Sequence, residues 1–163
     1  MNSPVPDVPV HTGQLDADGL RIAVVASRFN EAVVDRLVDG AVDTLVRHGA
    51  KPQDVSVSWV PGAWELPVVA RAHAAAGAVD AVVALGAVVR GQTPHFDYVA
   101  GEAAKGCAAV QNEYGIPIAF GVLTTDDWDQ AQARAGGKFG NKGAEAALSA
   151  IETANLLKDL SGR

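Results

Sequence analysis

The chain has 163 residues, 48% hydrophobic and 20% charged, which is enough for one domain with a real core and too few for two comfortable ones. With 13 basic against 19 acidic residues and a net charge of -6, there is no basic stripe to hold nucleic-acid phosphates. No apolar run approaches membrane-spanning length, and the single cysteine, Cys107, excludes both an intrachain disulfide framework and a multi-thiolate metal site.

The first dozen residues carry three prolines and no cationic-then-apolar pattern, so they read as an extended surface segment rather than a signal peptide, and the protein as cytoplasmic. Residues 20–26 (LRIAVVA) are a short β-branched apolar run, the pattern of a strand covered on both faces. Asn30 can cap a helix in which Val34, Leu37, Val38, Ala41 and Leu45 recur at helical spacing, and Gly49 ends it. Residues 55–60 are a second strand. Residues 65–76 are a second helix, with Pro67 tolerated in its first turn and Gly77 closing it. Residues 81–86 (AVVALG) make a third strand, residues 97–114 a helix ended by Gly115, and residues 116–123 (IPIAFGVL) a fourth strand. A short helix over residues 126–135, a Gly-rich break and a last helix over about residues 141–160 complete the chain. Strands alternating with helices predict a single three-layer α/β domain of flavodoxin-like type over residues 15–163, preceded by an extended segment over residues 1–14. Its four-stranded parallel sheet would carry helices on both faces, in a strand order that one sequence does not reveal.

Ligands of such folds bind outside the carboxyl ends of the strands. There the sequence places Ser27-Arg28-Phe29-Asn30, then Pro61-Gly62-Ala63-Trp64-Glu65, then Val88-Val89-Arg90-Gly91-Gln92-Thr93-Pro94-His95-Phe96-Asp97, then Thr124-Thr125. Phe29 and Trp64 are candidate flat surfaces for a ring, or hydrophobic staples onto the next helix. His95 is the candidate proton-transfer group, imidazole being the side chain suited to both directions of transfer near neutral pH. Asp97 can orient it or begin the next helix. His48 and His73 fall late on helices and His11 in the opening segment, away from the rim, and the histidines form no metal-ligand spacing.

The segment from Arg134 to Gly143 (RAGGKFGNKG) sets Arg134, Lys138 and Lys142 among four glycines before a helix start. It can read a phosphate, with Arg134 able to grip it bidentately, or be an interhelical turn with solvated lysines. Its spacing is not that of a nucleotide phosphate loop. Asp126, Asp127 and Asp129 read as charges at a helix start rather than a metal cluster, and Cys107 as a buried inert thiol.

Together, Ser27-Arg28-Phe29-Asn30, Pro61-Gly62-Ala63-Trp64-Glu65, the stretch from Gly86 to Phe96, residues 115–125, and Arg134-Ala135-Gly136 followed by Gly140-Asn141-Lys142-Gly143 resemble the lumazine synthase (riboflavin synthase beta-chain) family. The match runs in order from about residue 15 to residue 160, and Val-Arg-Gly-x-Thr-x-His is its most specific stretch. The resemblance implies condensation of 5-amino-6-(D-ribitylamino)uracil with 3,4-dihydroxy-2-butanone 4-phosphate, the penultimate step of riboflavin biosynthesis, with no metal or organic cofactor. It implies that Phe29 stacks on the pyrimidine while the backbone of Ala87, Val88 and Val89 reads its edge. Ala63, Trp64 and Glu65 would meet the ribityl chain. His95 would be the acid/base, and Arg134 would hold phosphate with Gln92 and Thr93, with Asn30, Lys138 and Lys142 as supporting candidates. Phe120 would cover the pyrimidine from a neighbouring subunit of a homopentamer. Some members close twelve pentamers into a 60-subunit icosahedral cage with riboflavin synthase as cargo, and the short connection between Arg134 and Gly143 resembles theirs. Trp64 stands where the resemblance implies Phe, which bears on ribityl packing. Gly137 and Phe139 flank Lys138 where smaller or polar residues are also familiar.

Overall fold

The computed structural model describes residues 8–162. Of the extended segment expected over residues 1–14, residues 1–7 lie outside the described residues, and residues 8–14 form no helix or strand. The amide of Asn155 holds the end of this segment against the last helix, donating to Gln14 O at 2.6 Å and Asp16 O at 2.7 Å.

The four expected strands become β1 (Ile22–Ser27), β2 (Val55–Val60), β3 (Ala81–Val89) and β4 (Ile118–Thr125). They pair in parallel in the order β2-β1-β3-β4. This is the α/β architecture expected, with β2 and β4 at the edges. Every residue of β1 is buried, because helices cover both faces of the central strands and no polar alternation can survive there. On one side Ile22, Val24 and Ala26 join Val34, Leu37, Ala41 and Leu45 of α1 (Glu31–Arg47) and Ala147, Ala150 and Ile151 of the last helix. On the other, Ala23 and Val25 join Leu66 and Ala70 of α2 (Leu66–Ala76) and Ala103, Cys107 and Val110 of α3 (His95–Tyr114).

Small residues let the layers approach closely. A Cβ on Gly106 of α3 would stand 2.6 Å from Cγ of Pro67 in α2, so a larger residue at position 106 would force that seam apart. After β4 come α4 (Trp128–Ala133), a two-stranded antiparallel hairpin of β5 (Ala135–Gly137) and β6 (Gly140–Asn141), and α5 (Lys142–Ser161). The Gly-rich break is therefore an ordered hairpin, turned through left-handed Gly136 (φ 93°) and Gly140 (φ 79°). Asn141 fastens it in two directions. Its Oδ1 accepts from Gly143 N (2.8 Å) and Ala144 N (3.1 Å), capping α5, while Nδ2 donates to Arg36 O of α1 at 2.9 Å.

Several bounds differ from expectation, with β3 running on to Val89, β4 lying two residues later and α4 spanning Trp128–Ala133, and two further differences bear on the site. Asn30 stands at the start of α1, but its side chain caps nothing: the residue is left-handed (φ 61°, ψ 41°) and Nδ2 reaches across to donate to Ala87 O at 2.8 Å. Asparagine tolerates this backbone region better than most residues, and the bond to β3 offsets the strain. The third helix begins at His95 rather than Asp97, because Pro94 takes the capping position.

Candidate active site

The carboxyl ends of β1, β2 and β3 open into a cavity of about 930 Å³ beside the α2–α3 layer. Phe29 follows β1, residues 61–65 follow β2, and Ala87, Val88 and Val89 end β3. Gly91, Thr93, His95, Phe96, Tyr98 and Val99 complete the wall. Phe29 is 72% exposed and Trp64 58%, so neither is a staple buried on its helix; both rings lie open to a planar ligand.

Glu65 brings a carboxylate to this cavity from the 3₁₀ turn Ala63–Glu65 at the head of α2. Its Oε2 is buried without a hydrogen-bond donor among the described residues. A buried acceptor left unpaired is costly, and a ligand hydroxyl or amide N–H would satisfy it. The Ser27 hydroxyl, at the end of β1, is likewise buried and unpaired, and packs so tightly that a Cβ on Gly86 would sit 2.8 Å from it. Below the rim, the Asn30–Ala87 bond ties the β1 and β3 loops together and occupies the Ala87 carbonyl.

His95 is the first residue of α3, exposed at the cavity wall. Asp97 does not orient it. Its Oδ1 instead accepts from Arg90 Nη1 at 3.4 Å. The remaining histidines are engaged elsewhere or exposed: His48 Nδ1 lies 2.7 Å from Thr44 O, His73 Nε2 lies 3.1 Å from Ser58 Oγ, and His11 belongs to the exposed opening segment.

A second, smaller cavity of about 330 Å³ lies on the opposite helical layer, between the end of β4, the hairpin and α5. Val122, Leu123, Thr124, Thr125, Arg134, Phe139, Lys142 and Glu145 line it. Arg134 Nη1 donates to Gln130 O at 3.0 Å, and its guanidinium carbon stands 4.9 Å from the centroid of the Phe139 ring. Lys142 Nζ pairs with Glu145 Oε2 at 3.3 Å, and Lys138 Nζ lies 5.6 Å from the Phe139 ring. Among the described residues, none lines both cavities.

Phe29, Ala63, Trp64, Glu65, Ala87, Val88, Val89, Thr93 and His95 thus meet in one cavity. Gln92 is exposed on the loop between Gly91 and Thr93 without lining it, and Asn30 sits beneath. Arg134 and Lys142 belong to the other cavity, Lys138 is exposed at the hairpin, and Phe120 stands 37% exposed on edge strand β4, paired in register with Ala84. Phe96 was expected at the rim without a role, and Tyr98 and Val99 escaped the sequence reading. Starting the helix at His95 would have put Tyr98 and Val99 one turn on, at i+3 and i+4.

Asp127 caps α4 by accepting from Gln130 N at 2.8 Å, so it begins a helix as expected. Among the described residues no group of three or more His, Cys, Asp or Glu could hold a metal ion, and no helix is long and apolar enough to cross a membrane. Burial pushes the Cys107 thiol from 9.0 up to about 11, which keeps it protonated and inert.

The model of the 6,7-dimethyl-8-ribityllumazine synthase family matches residues 19–158. The chain belongs to this family. A relative from Aquifex aeolicus (strain VF5), a 6,7-dimethyl-8-ribityllumazine synthase, is 56% identical over 151 residues, covering 93% of this chain and 98% of its own. The matched span includes both cavities.

Proposed function

We propose that the protein condenses 5-amino-6-(D-ribitylamino)uracil with 3,4-dihydroxy-2-butanone 4-phosphate to 6,7-dimethyl-8-ribityllumazine, the penultimate step of riboflavin biosynthesis. The observation that carries this reading, in a chain of this family, is the cavity that gathers Phe29, the unpaired Glu65 carboxylate oxygen and His95. Phe29 stacks on the pyrimidine, the backbone of Val88 and Val89 reads its edge, and Glu65 accepts a hydrogen bond from the ribityl chain.

The chemistry needs no cofactor. The 5-amino nitrogen of the pyrimidine attacks the ketone carbon, and loss of one water leaves an imine. Deprotonation next to the imine expels inorganic phosphate by elimination. The resulting enol takes up a proton at its terminal carbon and becomes a ketone; the ribitylamino nitrogen attacks that new carbonyl, and loss of a second water closes the ring. His95 moves the protons, and Arg134 neutralises the phosphate. Alignment of two substrates supplies the remaining acceleration.

Phosphate reading and proton transfer must meet at one substrate, yet Arg134 and His95 line different cavities on opposite layers of one chain. The site is therefore completed between two copies. One supplies the larger cavity; its neighbour supplies Arg134, Lys142 and Phe120. A repeated interface of this head-to-tail kind closes into a ring. The ring is a homopentamer, and the short Arg134–Gly143 connection supports further closure into a 60-subunit cage able to hold riboflavin synthase. The functional unit is one cytoplasmic domain over residues 15–163.

The test is to mix purified protein with both substrates and follow the fluorescent lumazine, with light scattering for the assembled mass. Turnover that requires both substrates is expected. No turnover, with tight riboflavin binding in its place, would overturn the reading in favour of a flavin-binding module.

A further inference from the structure

The stretch Val89-Arg90-Gly91-Gln92-Thr93-Pro94-His95 contains one arginine, and Arg90 lines neither cavity. It follows the last residue of β3, where its backbone N–H donates to Thr125 O at 2.8 Å. Its guanidinium then makes three contacts at once. Nε donates to Asp126 Oδ1 at 3.1 Å, Nη1 donates to Asp97 Oδ1 at 3.4 Å, and the central carbon stands 4.3 Å from the centroid of the Phe96 ring.

The places of these partners give the contacts their meaning. Residues 90 and 97 stand on either side of the loop over residues 91–94, so the Arg90–Asp97 pair closes that loop at its base. The loop carries Gln92 and Thr93, and His95 follows it as the first residue of α3. Phe96 is itself part of the cavity wall. Asp126 leads toward the other cavity: its N–H donates to Gln130 Oε1 at 3.1 Å, and Gln130 O accepts from Arg134 Nη1 at 3.0 Å. A single exposed ion pair would hold little. Here one planar fork grips two carboxylates while its face lies against an aromatic ring, a combination that an ammonium cannot reproduce.

We propose that Arg90 is a positioning residue for the condensation: it clasps the loop over residues 91–94 so that Thr93 and the His95 imidazole hold one place against the sugar phosphate. The clasp rests on the proposed activity, and it acts through other groups rather than on the substrate. Phe29 and Glu65, which take the pyrimidine ring and its ribityl chain, lie on other loops, and Val88 and Val89 are held by the pairing of β3 with Thr124 and Thr125 of β4.

The test is Arg90→Lys in the full-length assembly, with initial rates for each substrate, thermal unfolding, and hydrogen exchange of the peptide spanning residues 91–97. The KM for the butanone phosphate rises about tenfold and kcat falls about tenfold, while the KM for the pyrimidine stays within about twofold. The unfolding midpoint and assembled mass stay at the wild-type values, and exchange over residues 91–97 quickens about tenfold with the rest of the chain unchanged. Adding Asp97→Asn to Arg90→Lys changes nothing further, because the partner is already gone. Wild-type kinetics in Arg90→Lys would overturn the clasp, and so would losses that follow the fraction unfolded or fall equally on both substrates. If wild-type protein gives no turnover, the proposed activity fails first, and unchanged exchange over residues 91–97 would then sink the clasp as well.

Discussion

Subunit mixing gives the sharpest test of a site shared between copies. On the proposed roles, His95→Ala removes the proton shuttle, worth roughly 10²–10⁴-fold in rate, and Arg134→Ala removes the phosphate partner. Each parent assembly is therefore nearly silent at modest sugar phosphate. The two residues line separate cavities with no residue in common, so a site at an interface takes His95 from one copy and Arg134 from the next. When equal amounts of the variants are unfolded together and refolded, four pairings occur at each interface with equal frequency. In one of them both functional residues are intact, in one both are missing, and in the other two one is missing. Activity should therefore return to about a quarter of wild type, whatever the number of copies in the ring, because a head-to-tail interface pairs each chain with one neighbour on each side. The assay is the initial rate of lumazine formation, against the same variants refolded separately and mixed afterwards. Co-refolded activity no higher than the average of the parents would refute the shared site and return Arg134 and His95 to a single chain.

Glu65→Leu keeps approximate volume but removes the buried acceptor that has no donor among the described residues; the KM for the pyrimidine should rise about tenfold or more with that for the sugar phosphate unchanged, and equal effects would remove Glu65 from the ribityl subsite. Gly143→Ala places a methyl group against the Leu37 carbonyl where α5 meets α1; destabilisation of about 1–3 kcal/mol is expected in denaturant titration, and an unchanged midpoint would contradict the tight seam. Cys107 should stay unreactive toward thiol reagents at pH 8 until the chain unfolds. Because burial raises its folded value from 9.0 to about 11, the folded state keeps a proton that the unfolded chain releases between those values. That contribution is fully present below pH 9 and is lost as pH rises toward 11, on the order of 2 kcal/mol in all. A stability profile of Cys107→Ala identical in slope to wild type over that window would refute it.

Much of the architecture was legible because a parallel sheet covered on both faces demands continuous apolar strands, and residues 20–26, 81–86 and 116–123 announce themselves by that demand, while residues 55–60, at the sheet edge, show apolar–polar alternation. Strand order was not legible. Pairing is decided between segments far apart in the chain, and buried β-branched runs look alike one at a time. At the rim, Asp97 looked like a helix start and Pro94 did not, although Pro94 takes the capping position and hands His95 to the helix. That shift of two residues hid Tyr98 and Val99. Asn30 showed the opposite kind of error: the right residue at the right position, with its side chain spent on Ala87 because a left-handed backbone turns it away from its own helix. The division of Arg134 from His95 was invisible for a simpler reason. Linear spacing says when a cation arrives along the chain but not which layer of the fold it faces.

Asn141 joins the head of α5, the hairpin and the carbonyl of Arg36, so the segment bearing Arg134 is bolted to α1, a helix with no residue in the larger cavity. The wall that would face a neighbour is thus mounted on the core rather than hung from a free loop. On the proposed reading, a subunit built this way presents the face bearing Arg134 already shaped before it meets its partner. Assembly then resembles the mating of two finished machine parts, with alignment set during folding and little left to adjust on contact. Selection on how the copies fit together would accordingly reach deep into the α1–α5 seam, and a change as small as a methyl group at Gly143 would be felt at an active site on another chain.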